Sequence, residues 1–118
     1  MVTPEYNHTI PPALVNAMDM FGGSLYAFKP SACVCYSMTA LGGSRVAQAL
    51  PPMLHELGCL PVSKQFVLPS ANKALTAEGV ATGDGADGNI GQLQKMLAQL
   101  VWWADACRKQ RAARGIPK

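Results

Sequence analysis

Thr3-Pro4-Glu5-Tyr6-Asn7-His8-Thr9-Ile10-Pro11-Pro12 stands almost at the N-terminus and decides how the rest of the chain is read. A polar, turn-prone run feeds directly into a helix that begins at proline. Proline is tolerated in a first helical turn because the N–H it lacks would go unpaired there. Thr9 is placed to cap that helix. Such a loop suits the wrapping of a flat ligand by backbone groups, and in a complete α/β domain it follows a strand. No strand is expected ahead of it here.

Beyond the loop, Leu14, Ala17, Met18 and Phe21 recur at helical spacing until Gly22-Gly23 ends the run. Lys29-Pro30 leads into Ser31–Ser37, a short apolar segment of the kind that forms a buried parallel strand. Within it Cys33 and Cys35 share one face, by the strand period of two, as small core residues. Met38 to Gly43 forms a flexible turn. A helix follows over about Ser44–Leu57, with Val46, Leu50, Met53, Leu54 and Leu57 on one face. Pro51 and Pro52 interrupt its hydrogen bonding at a cost of ~3 kcal/mol each in a regular interior, which predicts a kink or break near Leu50.

Gly58 closes this helix, and Leu60–Leu68 reads as a second strand interrupted around Ser63-Lys64. Residues 69–88 turn small and polar, ending in Gly83-Asp84-Gly85-Ala86-Asp87-Gly88, and predict a mobile loop. Ile90, Leu93, Leu97, Leu100, Val101, Ala104 and Cys107 then lay an apolar stripe along a final helix. Trp102 and Trp103 are neighbours and cannot both lie on it, so one of them covers a partner or a neighbouring element. The order helix, strand, helix, strand, helix implies a parallel sheet flanked by helices. Two strands make too little sheet for that architecture, so the chain reads as part of a doubly wound domain. His8 and His55 suit a turn and a helix surface better than acid–base chemistry.

Composition narrows the function classes. With 49% hydrophobic and 14% charged residues the chain has a packed core rather than disorder, and 118 residues make one domain over 1–118. No apolar run reaches the ~18 residues that span a bilayer, and the N-terminus lacks the features of a secretory signal, so a cytoplasmic location is expected. Cys33, Cys35, Cys59 and Cys107 form no C-x-x-C pair and no metal-type spacing, and read as reduced thiols. The net charge of +3 collects at Arg108, Lys109, Arg111, Arg114 and Lys118. Cations are favoured at a helix C-terminus, and no aromatic residues interleave with these, so nucleic acid is not an expected partner.

At this point the residues carry a resemblance. Pro4-Glu5-Tyr6-Asn7-His8-Thr9-Ile10-Pro11 and Asn16-Ala17-Met18-Asp19 resemble the flavin-loop signature of the NAD(P)H-dependent FMN reductases. The similarity continues through Lys29-Pro30, Gly42-Gly43-Ser44-Arg45 and Leu54-His55-Glu56-Leu57-Gly58, covering about the first sixty residues.

The resemblance implies an α/β, flavodoxin-like, three-layer architecture with parallel strands. It lacks the N-terminal strands and the Gly-Ser-x-Arg phosphate-binding loop with which family members begin. It implies FMN as cofactor and NAD(P)H as co-substrate, with hydride transfer to the flavin and on to a second small-molecule acceptor such as a quinone or free flavin. Pro4, Glu5, Tyr6 and Asn7 become flavin-ring contacts. Ser37 and the Gly42-Gly43 turn form a second wall, and Arg45 starts the next helix. No side chain is expected to act as a general acid or base, since the flavin performs the chemistry.

The acidic Gly83–Gly88 run cannot replace a phosphate loop. The rival expectation is therefore a non-catalytic flavodoxin-like module that works by association. In that reading the strand around Cys33–Ser37 exposes an apolar edge, and the chain forms a homo-oligomer or joins a companion N-terminal fragment.

Overall fold

The computed structural model describes residues 1–117. Five short strands and four α-helices follow one another as β1 (Val2–Pro4), α1 (Pro12–Asp19), β2 (Pro30–Ser31), β3 (Val34–Tyr36), α2 (Ser44–Glu56), β4 (Leu60–Pro61), β5 (Phe66–Leu68), α3 (Ala71–Ala74) and α4 (Ala86–Arg114). Every strand pairing is parallel. One sheet has the order β1-β3-β5 and the other pairs β2 with β4.

A strand does precede the N-terminal loop. Val2, Thr3 and Pro4 pair with Val34, Cys35 and Tyr36, and the Met1 ammonium donates to the Ala32 carbonyl at 2.7 Å. The sequence conceals this strand because three residues are too few to show a period of two. Its consequence is that β3 lies in the middle of its sheet, with β5 on its other side. The exposed edges belong to β1 and β5, not to the Cys33–Ser37 segment.

The two longer strand segments are each split. Residues 30–36 contribute β2 and β3, and residues 60–68 contribute β4 and β5, with the breaks at 32–33 and 62–65. The second break brackets the expected interruption at Ser63-Lys64. Side chains still alternate across the first break. Cys33 and Cys35 are buried against Val46, Ala47, Leu50 and Leu54 of α2 and against Met18 of α1. Ala32, Val34 and Tyr36 pack on the opposite face with Phe66, Leu68 and Met96. The result is three layers: α1 and α2, the strands, and α4.

Helix α2 runs unbroken through Pro51 and Pro52, with no break at Leu50. Its stripe of Val46, Ala47, Leu50 and Leu54 is buried on β3, and this tertiary burial outweighs the lost hydrogen bonds. The second missing donor would have served Gln48, whose exposed position leaves its carbonyl to water. Gly58, at φ 86°, closes the helix as expected.

Helix α1 starts at Pro12, but Thr9 does not cap it: Thr9 exchanges backbone hydrogen bonds with Tyr6, and Pro11 occupies the cap position. The helix ends at Asp19, before Gly22-Gly23. Residues 69–88 are not one open loop. They contain α3, an antiparallel bridge between Leu75 and Ala81, and the first three residues of α4.

Helix α4 is 29 residues long. At a rise of ~1.5 Å per residue it runs about 43 Å, against a long axis of 47 Å for the whole molecule. It therefore overhangs the short strands. Met96, absent from the expected stripe, is the buried anchor, flanked by Leu93 and Leu100, while Ile90, Leu97, Val101 and Ala104 stay exposed. Trp102 and Trp103 meet edge to face with centroids 4.7 Å apart, and both remain exposed.

Candidate flavin site

Parallel β1 and β3 end side by side, and the segments that leave them face each other across a cavity of about 600 Å³. One wall is Pro4, Glu5, Tyr6, Asn7 and His8. The other runs from Tyr36 through Ser37, Met38 and Thr39 to Leu41, and Arg45 at the start of α2 closes the back. This is the crevice at the carboxyl ends of strands where α/β folds hold ligands.

The first wall is shaped by a tight turn. Tyr6 N donates to Thr9 O at 3.2 Å and Thr9 N donates to Tyr6 O at 2.9 Å. Asn7 and His8 between them take φ of 50° and 65°. Two successive left-handed residues make a type I′ turn, and asparagine and histidine tolerate that region better than most residues. The turn presents Tyr6, Asn7 and His8 outward, and the amides of Asn7 and His8 find no acceptor among the described residues.

Glu5 turns the other way. Its amide continues the sheet ladder by donating to Tyr36 O at 2.9 Å. Its side chain is only 5% exposed, with Oε1 2.9 Å from Arg45 Nη1 and Oε2 accepting from the Arg45 amide at 3.2 Å. Gly43, the cap residue of α2, has no side chain to offer, so Glu5 supplies the missing carboxylate from across the sequence. A negative group is stabilised there by the helix dipole and by the orphan amide.

In the second wall Ser37 N donates to Leu68 O at 3.3 Å, and the Ser37 and Thr39 hydroxyls lie 2.9 Å apart. The Ser70 amide ties Thr39 O down at 2.9 Å, while the Met38 and Thr39 amides have no acceptor among the described residues.

Of the expected site residues, the structure brings Pro4, Glu5, Tyr6, Asn7, Ser37 and Arg45 to one cavity. Gly42 and Gly43 are not among its lining residues. A Cβ on Gly42 would stand 2.7 Å from Pro69 N, and one on Gly43 would stand 2.8 Å from Tyr36 N, so both glycines pack behind the wall against strand ends. Their φ of 62° and 83° also demand glycine. The sequence reading missed His8, Tyr36, Met38, Thr39 and Leu41 as lining residues. Position could have found four of them, because they occupy the strand end and turn that already held Ser37.

A family model described as NADPH-dependent FMN reductase matches residues 1–73. The chain belongs to this family. Membership accounts for the α/β, flavodoxin-like arrangement, and FMN and NADPH are the molecules in the family's name. A quinone reductase of Pseudomonas putida (strain KT2440) is 46% identical over 72 residues, covering 56% of this chain and 39% of that protein. The chain thus spans well under half the length of this quinone reductase relative. Helix α4 lies beyond the segment that the family model matches.

The cavity residues fit one end of FMN. The open face of Tyr6, Met38 and Leu41, all well exposed, offers apolar surface to a flat ring. The four free amides suit a ring's polar edge. The phosphate end finds less: among the described residues Arg45 is the single Lys or Arg that lines the cavity, and its guanidinium is held by Glu5.

Proposed function

We propose that this chain supplies the ring-binding part of a flavin site in an NAD(P)H-dependent flavin oxidoreductase. The observation that carries this reading is the cavity between Pro4–His8 and Tyr36–Leu41 at the carboxyl ends of β1 and β3. Tyr6 and Met38 cover the ring, the amides of Asn7, His8, Met38 and Thr39 meet its polar edge, and Glu5 fixes the first wall to α2. Gly42 and Gly43 support the second wall from behind. Bound FMN supplies the redox chemistry, taking a hydride from NAD(P)H and passing electrons to a second acceptor such as a quinone or free flavin. The residues position the ring and leave its outer face open to the co-substrate. Residues 1–118 act as one partial flavodoxin-like domain in the cytoplasm.

A second reading follows from the phosphate end, where no free Lys or Arg among the described residues lines the cavity. The chain then works as a non-catalytic module that associates with another copy or with a companion fragment, using the uncovered β1 edge, where Val2 is 72% exposed.

Titrating the purified chain with FMN and with riboflavin tests both readings. Ring binding predicts that both flavins lose fluorescence with affinities within about threefold, because the phosphate adds little. NADPH should then bleach the bound flavin. Unquenched flavin at high protein concentration would refute the first reading and leave association as the function, to be measured by sedimentation.

A further inference from the structure

A second cavity lies at the other end of the strands, where β2 and β4 begin. It measures about 300 Å³, at the small end of the range for ligand pockets. Phe28 and Leu60 wall it from the strand entrances, Cys107 from α4, and Ile116 from the segment beyond the helix. Among the described residues, the only charged groups lining it are Arg111 and Arg114.

The two arginines have different jobs. Arg111 Nη1 donates to the Phe28 carbonyl at 2.8 Å. Phe28 is also held through its own amide, which donates to Gly58 O at 2.8 Å, and it takes a left-handed φ of 60°. These contacts fix an apolar wall in an unusual backbone conformation. Arg114, by contrast, takes part in no hydrogen bond or ion pair among the described residues. The acid nearest to it in sequence on the same helix, Asp105, is nine residues away and already matched by Arg108 and Lys109, each at 2.6 Å. The cavity therefore joins apolar walls to a guanidinium that no acid among the described residues matches.

We propose that this cavity binds an amphiphilic monoanion, an arylcarboxylate of one or two rings, with the ring among Phe28, Leu60, Cys107 and Ile116 and the carboxylate on Arg114. A planar guanidinium matches a carboxylate with two parallel hydrogen bonds, which a neutral ring compound cannot offer. A polyphosphate ligand is disfavoured, since most of the lining is apolar and one of the two arginines is committed to Phe28. The site is separate from the flavin cavity: the two share no residue, and α4 lies outside the segment matched by the reductase family.

Isothermal titration with 2-naphthoate and the neutral 2-naphthalenemethanol provides the test. The expected result is one site per chain, with naphthoate about tenfold tighter than the alcohol, the factor that one charge-assisted pair supplies. Arg114→Gln, on an exposed side chain, should erase that preference, and Cys107→Phe, which fills the hollow, should remove binding of both compounds. The proposal is overturned if naphthoate gives no heat or binds no better than the alcohol. It is equally overturned if Arg114→Gln changes nothing, or if Met38→Gln, on an exposed side chain of the flavin cavity, is the change that removes binding.

Discussion

Glu5 and Arg45, forty residues apart in sequence, make a two-point contact in which one carboxylate holds both the guanidinium and the backbone amide of its partner. The contact is lopsided. The Glu5 side chain is 5% exposed and that of Arg45 is 41% exposed. Removing the arginine strands a buried carboxylate, whereas removing the carboxylate frees an arginine that water already reaches.

Arg45→Met should therefore destabilise the chain by roughly 2–4 kcal/mol, toward the range for an orphaned buried charge. Glu5→Gln should cost about 1–2 kcal/mol, since the amide oxygen still accepts from Arg45 N and the exposed guanidinium is screened. Urea unfolding measured by tryptophan fluorescence compares them. A larger loss for Glu5→Gln would reverse the account of which partner needs the other.

Two glycines of nearly equal φ separate backbone conformation from packing. Gly43 at φ 83° and Gly79 at φ 81° both disfavour a side chain, but a Cβ on Gly43 would press on Tyr36 N while Gly79 has nothing within 4 Å. Gly79→Ala should cost about 1 kcal/mol, the left-handed penalty alone. Gly43→Ala should cost at least about 2 kcal/mol more, through displacement of the wall that carries Ser37. Thermal denaturation midpoints give the comparison, and equal midpoints would remove the packing argument.

Burial pushes the Cys35 thiol up to about 12, and neighbouring Cys33 adds to the rise. Burial raises Cys33 and Cys59 as well. A thiol that holds its proton more tightly when folded gives stability that is complete below the unfolded value near 9 and lost as pH climbs toward the folded one. Stability should accordingly fall between pH 9 and about 12, and Cys35→Ala should flatten that slope. In the native state at pH 8, a thiol reagent should modify the partly exposed Cys107 well before Cys33, Cys35 and Cys59.

On α4, burial and hydrophobicity part company. Met96 is 1% exposed and Val101 is 65% exposed. Met96→Ala should cost roughly 2–4 kcal/mol as a core truncation, while Val101→Ser should stay within about 0.5 kcal/mol. Chemical denaturation of the two variants decides the matter. A large loss at Val101 would mean that a partner covers this face in solution.

These contrasts show where the sequence speaks and where it falls silent. Helix α2, its closing Gly58 and the shared face of Cys33 and Cys35 were legible, because periodicity and turn chemistry act locally; Pro4–Asn7 and Ser37 were singled out by the resemblance to the reductases, and they line one cavity. The strand Val2–Pro4 was not, since its pairing partner lies over thirty residues away. Nor was the continuity of α2 across Pro51 and Pro52, which depends on burial against β3 rather than on propensity. The stripe on α4 misled for a geometric reason: a 29-residue helix offers more apolar arc than a sheet of three-residue strands can cover. Glu5 shows the same limit, since its letters suggested a ring contact while its carboxylate points into the protein and caps a distant helix.

The strand order also gives the two sides of the flavin cavity unequal mechanical support. The Ser37 side leaves β3, which is clamped by a neighbour on each flank. The Tyr6 side leaves β1, which has one neighbour and is steadied beyond it by Glu5 gripping α2. The cavity is built as a vice with one fixed jaw and one sprung jaw, and the spring is the two-point contact of Glu5 with Arg45. If the proposed flavin reading holds, a thicker or differently substituted ring would be taken by outward travel of Pro4–His8, and the Glu5–Arg45 contact would set how wide a range of flat molecules fits.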